Sequence, residues 1–156
     1  MGKTDYFPSL TVSIASLSLF IAGISTSTWL RRPSDGTHKG IWDVDKDGNE
    51  IRTVRAFAIL AIIFSVIGAS VFLRKVSGNL GLIAEWVWDV KPEWETLPLA
   101  IAGMCGAISC IVYKSIMSDL VPDSEIGYSF ILMAVGSGLS SILLRDWSSL
   151  FRLVLI

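Results

Sequence analysis

The sequence predicts an all-α membrane protein, a four-transmembrane-helix bundle with a small antiparallel β-hairpin or sheet in its first loop. Three observations carry this. The first is the distribution of charge. The 156 residues hold 13 basic and 14 acidic groups, but four long runs hold none. These lie between Asp5 and Arg31, Arg55 and Arg74, Glu95 and Lys114, and Glu125 and Arg145, with lengths of 25, 18, 18 and 19 residues. At 17% charged overall, about 14 charges would fall in those 80 positions by simple proportion. A helix in water needs a charged face, and a bilayer core takes roughly 20 apolar residues per crossing. The second observation is a turn signal, Asp47-Gly48, set between β-branched residues in the loop after the first run. The third is the recurrence of small residues four apart in the third and fourth runs, a pattern that lets helix backbones approach closely in lipid.

Residues 1–8 are short and polar. The first span covers about residues 9–30. Its apolar stretch is too long for a signal peptide, and no small-x-small cleavage site precedes the charged residues. Trp29 marks the interface, where an indole prefers to sit, and Arg31 and Arg32 follow in water. The first loop, 31–53, holds the single His and five acids, Asp35, Asp43, Asp45, Asp47 and Glu50. Within it, Gly40 to Val44 and Glu50 to Thr53 read as two short strands around the Asp45 to Asn49 turn.

The second span covers about 54–73 and is closed by Arg74 and Lys75. Residues 76–96 mix Leu80, Leu82, Ile83 and Val87 with Glu85, Asp89, Lys91, Glu93 and Glu95, and include Trp86, Trp88 and Trp94. This segment reads as amphipathic, lying at a membrane interface or under the bundle rather than crossing it. Pro92 ends any helix there. The third span covers about 97–113, with Ala102 four before Gly106 and Gly103 four before Ala107. The fourth covers about 126–144, with Ala134 paired to Gly138 and Gly136 to Ser140. These faces are expected to pack inside the bundle, with a contact to another subunit as the alternative. The last residues, Leu153 to Ile156, read as an apolar tail on the bilayer. The alternative is an added strand on a PDZ-type edge.

Composition narrows the function. A net charge of −1 offers no basic surface for nucleic acid. Cys105 and Cys110 both lie in the third span, so no disulfide framework exists outside it, and they read as small apolar core residues. No phosphate loop, nucleophile elbow or paired-histidine zinc motif is present. No span interior carries a charge, which argues against a transporter or an intramembrane enzyme. His38 stands alone and reads as a surface residue. Asp43, Asp45 and Asp47 followed by Gly48 match the first half of a calcium loop, where carboxylates at alternate positions converge before a sharp turn. The second half fails, because Val54 stands where a bidentate Glu is needed. The stretch therefore reads as a solvated turn, with calcium binding at these three residues as the alternative and no other cofactor expected. Basic residues on the two sides of the spans number six and seven, so charge does not set the orientation.

Several stretches resemble the claudin, peripheral myelin and epithelial membrane protein superfamily. Trp29 followed by Gly40-Ile41-Trp42 is similar to that family's W…G-L-W signature. Val54-Arg55-Ala56-Phe57 resembles its Ala-Arg-Ala opening of the second span. Gly127-Tyr128-Ser129-Phe130-Ile131-Leu132 resembles the opening of its fourth. The spacing from Trp29 to Gly40 is closer to the myelin and epithelial branch. The resemblance covers the whole chain in topology and rests on these short matches.

The resemblance implies a β-structured extracellular first loop, with both termini cytosolic in the plasma membrane. Trp29, Gly40 and Trp42 would anchor that loop to the outer helix ends. Arg55 would sit at the mouth of the second span against loop carboxylates. The family's two loop cysteines are missing here; Asp43 and Asp47 occupy that stretch. The loop is thus expected to lack a staple. The implied role is a non-enzymatic organiser of membrane or cell-contact assemblies, working through lateral helix packing and the loop. An accessory subunit of a larger channel or receptor complex is the alternative. Expected partners are membrane lipids and other membrane proteins or a second copy of the chain, without nucleic acid.

Overall fold

A computed structural model describes residues 7–34, 36–42, 49–77, 95–120 and 125–142. Helix α1 is Phe7–Ser25, followed by strands β1, Leu30–Arg31, and β2, His38–Lys39. Helix α2 is Asn49–Ser77 and α3 is Leu97–Leu120; strand β3, Glu125–Ile126, leads into α4, Tyr128–Ile142. Three stretches, Phe7–Ser25, Ile51–Val76 and Leu97–Met117, are long and apolar enough to cross a membrane, and Tyr128–Ile142 is a shorter apolar helix. The chain is accordingly an integral membrane protein by length and composition of its helices.

Helix α1 shows how an apolar segment can satisfy polar residues within its own turns. In α1 the hydroxyls of Thr11, Ser13 and Ser18 donate to the carbonyls of Phe7, Ser9 and Ile14, at 2.9, 2.7 and 2.8 Å. Such back-bonding to the preceding turn satisfies the hydroxyl within the helix. Helix α2 buries Ile51, Val54, Ala58, Ala61 and Ser65 along one stripe at helical spacing. Its other side exposes Ile59, Leu60, Ile63, Val66 and Ile67. In α3, Thr96 accepts from Ala100 at 3.0 Å to start the helix. Pro98 falls in the first turn, where a missing N–H costs nothing.

Helix α1 packs on α2 and α4, and α3 packs on the same two, so the helices follow one another around a ring. Small residues set the close approaches. A Cβ on Gly68 would meet the Leu99 side chain. One on Gly103 would meet Ser137, Ser140 and Ser141. One on Gly106 would press on Ser137 and Phe20, and one on Gly136 would meet Phe20 and Leu19. Between α1 and α4, Ser16 donates to the Gly136 carbonyl at 2.7 Å and its hydroxyl pairs with Ser140 at 2.5 Å.

The sheet sits at one end of these helices, in the order β2-β1-β3. Leu30 pairs with Lys39 and Ile126, and Arg31 with His38 and Glu125, all antiparallel. The turn between β1 and β2 is closed by bonds from Arg32 N to Thr37 O and from Gly36 N to Arg32 O, both 3.0 Å. Gly36 takes a φ of 67°, a conformation open to glycine at little cost.

The structure corrects several expectations. Glu50 to Thr53 is helix, because α2 begins at Asn49. Ile51 and Val54 continue the buried stripe of α2, and that packing overrides their strand propensity. The expected pairing of residues 40–44 with 50–53 is therefore not formed; the small antiparallel sheet that is present joins β1 to residues 38–39 and 125–126. The first helix stops at Ser25 rather than near residue 30, and the third continues to Leu120 rather than residue 113. The Asp45 to Gly48 turn, residues 78–94 of the amphipathic segment and the apolar tail lie outside the described residues.

Candidate functional site

The functional residues drawn from the sequence meet where α1 ends. A helix leaves its last carbonyls without intrahelical partners, and in an apolar setting each must be satisfied nearby. Here three successive carbonyls are closed from downstream. Ala22 accepts from Thr26, at 3.2 Å from the backbone N and 2.7 Å from Oγ1. Gly23 accepts from the Trp29 indole N–H at 2.6 Å. Ile24 accepts from the Trp42 indole N–H at 2.9 Å. Two indoles from the first loop thus cap the first helix, and the cap is also what anchors the loop.

The two tryptophans differ in their surroundings. Trp29 is fully buried. Tyr113 from α3 lies edge-on to it at 4.9 Å and Phe130 from α4 at 6.0 Å between ring centroids. Its ring therefore joins three helices, and edge-to-face aromatic pairs add to the burial itself. Trp42 is half exposed. Arg55 on α2 supports it from behind: Nε donates to the Ile41 carbonyl at 2.9 Å, and Cζ lies 5.3 Å from the centre of the Trp42 ring. That is cation–π distance. Ile41 between them is fully buried, and Gly40 is buried beside it.

The start of α4 is tied to the same place. Gly127 N donates to Trp29 O at 2.9 Å and Ser129 N to Thr28 O at 3.1 Å. Thr28 N returns a bond to Ser129 Oγ at 3.2 Å, and the Thr26 and Ser129 hydroxyls lie 2.6 Å apart. Gly127 passes so close to Thr28 that a Cβ there would collide with its backbone carbonyl.

Trp29, Gly40, Ile41, Trp42 and Arg55 are thus brought together. Arg55 donates to the Ile41 and Trp42 carbonyls and lies against the Trp42 ring. The expected carboxylates Asp43 and Asp47, with Asp45, lie outside the described residues, and so does the calcium reading. Among the described residues, no group of three His, Cys, Asp or Glu could hold a metal ion. Ala102, Gly103 and Gly106 are buried between helices, and Gly136 faces α1. Ala134 and Gly138 do not join them. Both are exposed, and Gly138 has open space where a Cβ would stand. Sequence reasoning gave no role to Thr26, Thr28, Gly127, Ser129 or Tyr113. Gly127 opens the stretch that resembles the family's fourth span, but nothing along the chain signals that its neighbour is Thr28.

No protein-family model matches the chain, and no curated protein matches it.

Proposed function

We propose that the chain is a four-span, non-enzymatic membrane scaffold that organises assemblies laterally and presents its sheet to neighbours on one side of the membrane. The observation that supports this most is the cap. The indole N–H groups of Trp29 and Trp42 and the Arg55 guanidinium of α2 are all committed to the carbonyls of α1 and of the loop. The site is built to hold a shape, and the outward row of the sheet, His38, Arg31 and Glu125, stays exposed. The outer helix faces are apolar, as lateral contact in lipid requires. In this reading α4 is the fourth crossing. Its 15 helical residues extend about 22 Å, and the uncharged run continues in the sequence to Leu144. The resemblance to the claudin and peripheral myelin superfamily supports the same role, with the sheet extracellular and both termini cytosolic in the plasma membrane.

The test is recovery of the tagged full chain in mild detergent after chemical cross-linking in its membrane. Self-association through the helices is the expected result. A larger membrane protein recovered in fixed stoichiometry would replace this role with that of an accessory subunit of a channel or receptor complex. Recovery as a lone monomer before and after cross-linking contradicts both.

A further inference from the structure

We infer that the outer face of α2 next to Trp42 holds an anionic glycerophospholipid, its phosphate at Arg52 and Arg55 and an acyl chain along Ile59, Ile63 and Val66. The inference rests on α2 crossing the bilayer, as proposed above. Arg52, Arg55, Ile59, Ile63 and Val66 follow at spacings of three, four, four and three, so they share one helix face. Arg52 is exposed, Arg55 is half-buried, and Ile59, Ile63 and Val66 are 43%, 46% and 46% exposed. The face is cationic for one turn and apolar thereafter.

The dimensions match one lipid. The uncharged run of α2 starts immediately after Arg55, at Ala56, which puts the two guanidinium groups at headgroup level. From Arg55 to Val66 the helix rises about 16 Å, close to the roughly 15 Å of hydrocarbon in one leaflet. Trp42 marks the same level from the side. It is 50% exposed, with its N–H already on Ile24 and its ring against Arg55. An exposed indole in that state offers only ring surface, which suits the glycerol and headgroup region. A guanidinium carries five N–H donors, so Arg55 can hold the Ile41 and Trp42 carbonyls and a phosphate oxygen together. Two cations one turn apart favour a net negative headgroup over a zwitterionic one.

The experiment is native mass spectrometry of the full chain released from bilayer nanodiscs, with dioleoyl phosphatidylglycerol and dioleoyl phosphatidylcholine as competing probes. Retention of phosphatidylglycerol over phosphatidylcholine is expected. Arg52→Gln, which leaves the Arg55 clamp in place, should weaken that retention about fivefold. Arg74→Gln, at the other end of α2, should leave it unchanged. Equal retention of the two lipids, an Arg52→Gln protein that binds like the wild type, or an equal effect of Arg74→Gln overturns the inference. A chain that fails to insert into the nanodisc at all contradicts the membrane-spanning reading as well. Insertion without an Arg52 effect refutes the lipid site alone.

Discussion

Replacing Gly127 by alanine should do more damage than its chemistry suggests. A Cβ at that position would overlap the Thr28 carbonyl oxygen and lie 2.6 Å from its carbon and 3.0 Å from the Trp29 carbonyl carbon. All three atoms are backbone, so no side chain can swing aside. Relief requires separating β3 and the start of α4 from the end of α1. That movement strains the bonds from Gly127 N to Trp29 O and from Ser129 N to Thr28 O. Two such bonds contribute about 0.5–1.5 kcal/mol each, and forced backbone shifts cost about 1–3 kcal/mol. The expected loss is about 3 kcal/mol, or about 10 °C in the thermal midpoint for a domain of this size. Gly138→Ala is the matched control, since its new methyl enters open space. Thermal unfolding of both variants in the same detergent, followed by circular dichroism, reads the difference. A Gly127→Ala midpoint within about 1 °C of the wild type would refute the close approach of the two segments.

Other substitutions probe the same framework. Trp29→Phe keeps much of the ring contact with Tyr113 and Phe130 but strands the Gly23 carbonyl, for an expected loss of about 1–3 kcal/mol by thermal unfolding. Trp29→Ala also removes the buried ring and should lose about 3–5 kcal/mol; equal losses for the two would show that the hydrogen bond is immaterial. Ser65 is fully buried and its hydroxyl has no hydrogen-bond partner among the described residues, so Ser65→Ala should raise stability by about 1 kcal/mol. A drop in the midpoint of that variant would mean that the hydroxyl is engaged. At the opposite end of the helices, Lys75 Nζ lies 2.8 Å from Oε1 of the buried Glu95. Lys75→Met should cost about 1–2 kcal/mol, moderated by the partial exposure of the lysine, and Lys75→Arg should recover most of it.

The helices were legible because exclusion of charge is a property of the chain in one dimension. Eighteen residues without a charge after Arg55 admit few other structures. Their ends were not legible, because tertiary contacts fix them. Helix α1 stops at Ser25 where indoles from residues 29 and 42 take up its last carbonyls, and no local signal announces those partners. That Trp29 and Trp42 would serve the same end of the helices could be anticipated. The atom each indole would satisfy could not. Strand β3 was missed because two residues give no period, and its pairing with β1 depends on how α1 and α4 meet. Small-residue spacing named Gly136 and Gly138 alike. Only Gly136 turned inward, because Phe20 on α1 needs its space. Periodicity shows that a face is smooth, and the neighbouring helix decides whether it is used.

Sidedness of the membrane tests the central claim most directly. With Cys105 and Cys110 replaced by alanine, single cysteines at His38, Glu125 and Arg74 can be labelled in sealed vesicles with a membrane-impermeant maleimide. The sheet joins Arg31 to both His38 and Glu125, whereas Arg74 lies in the last turn of α2 at the far end. The account predicts that His38→Cys and Glu125→Cys react from one side and Arg74→Cys only from the other. Reaction of His38→Cys and Glu125→Cys from opposite sides would contradict it.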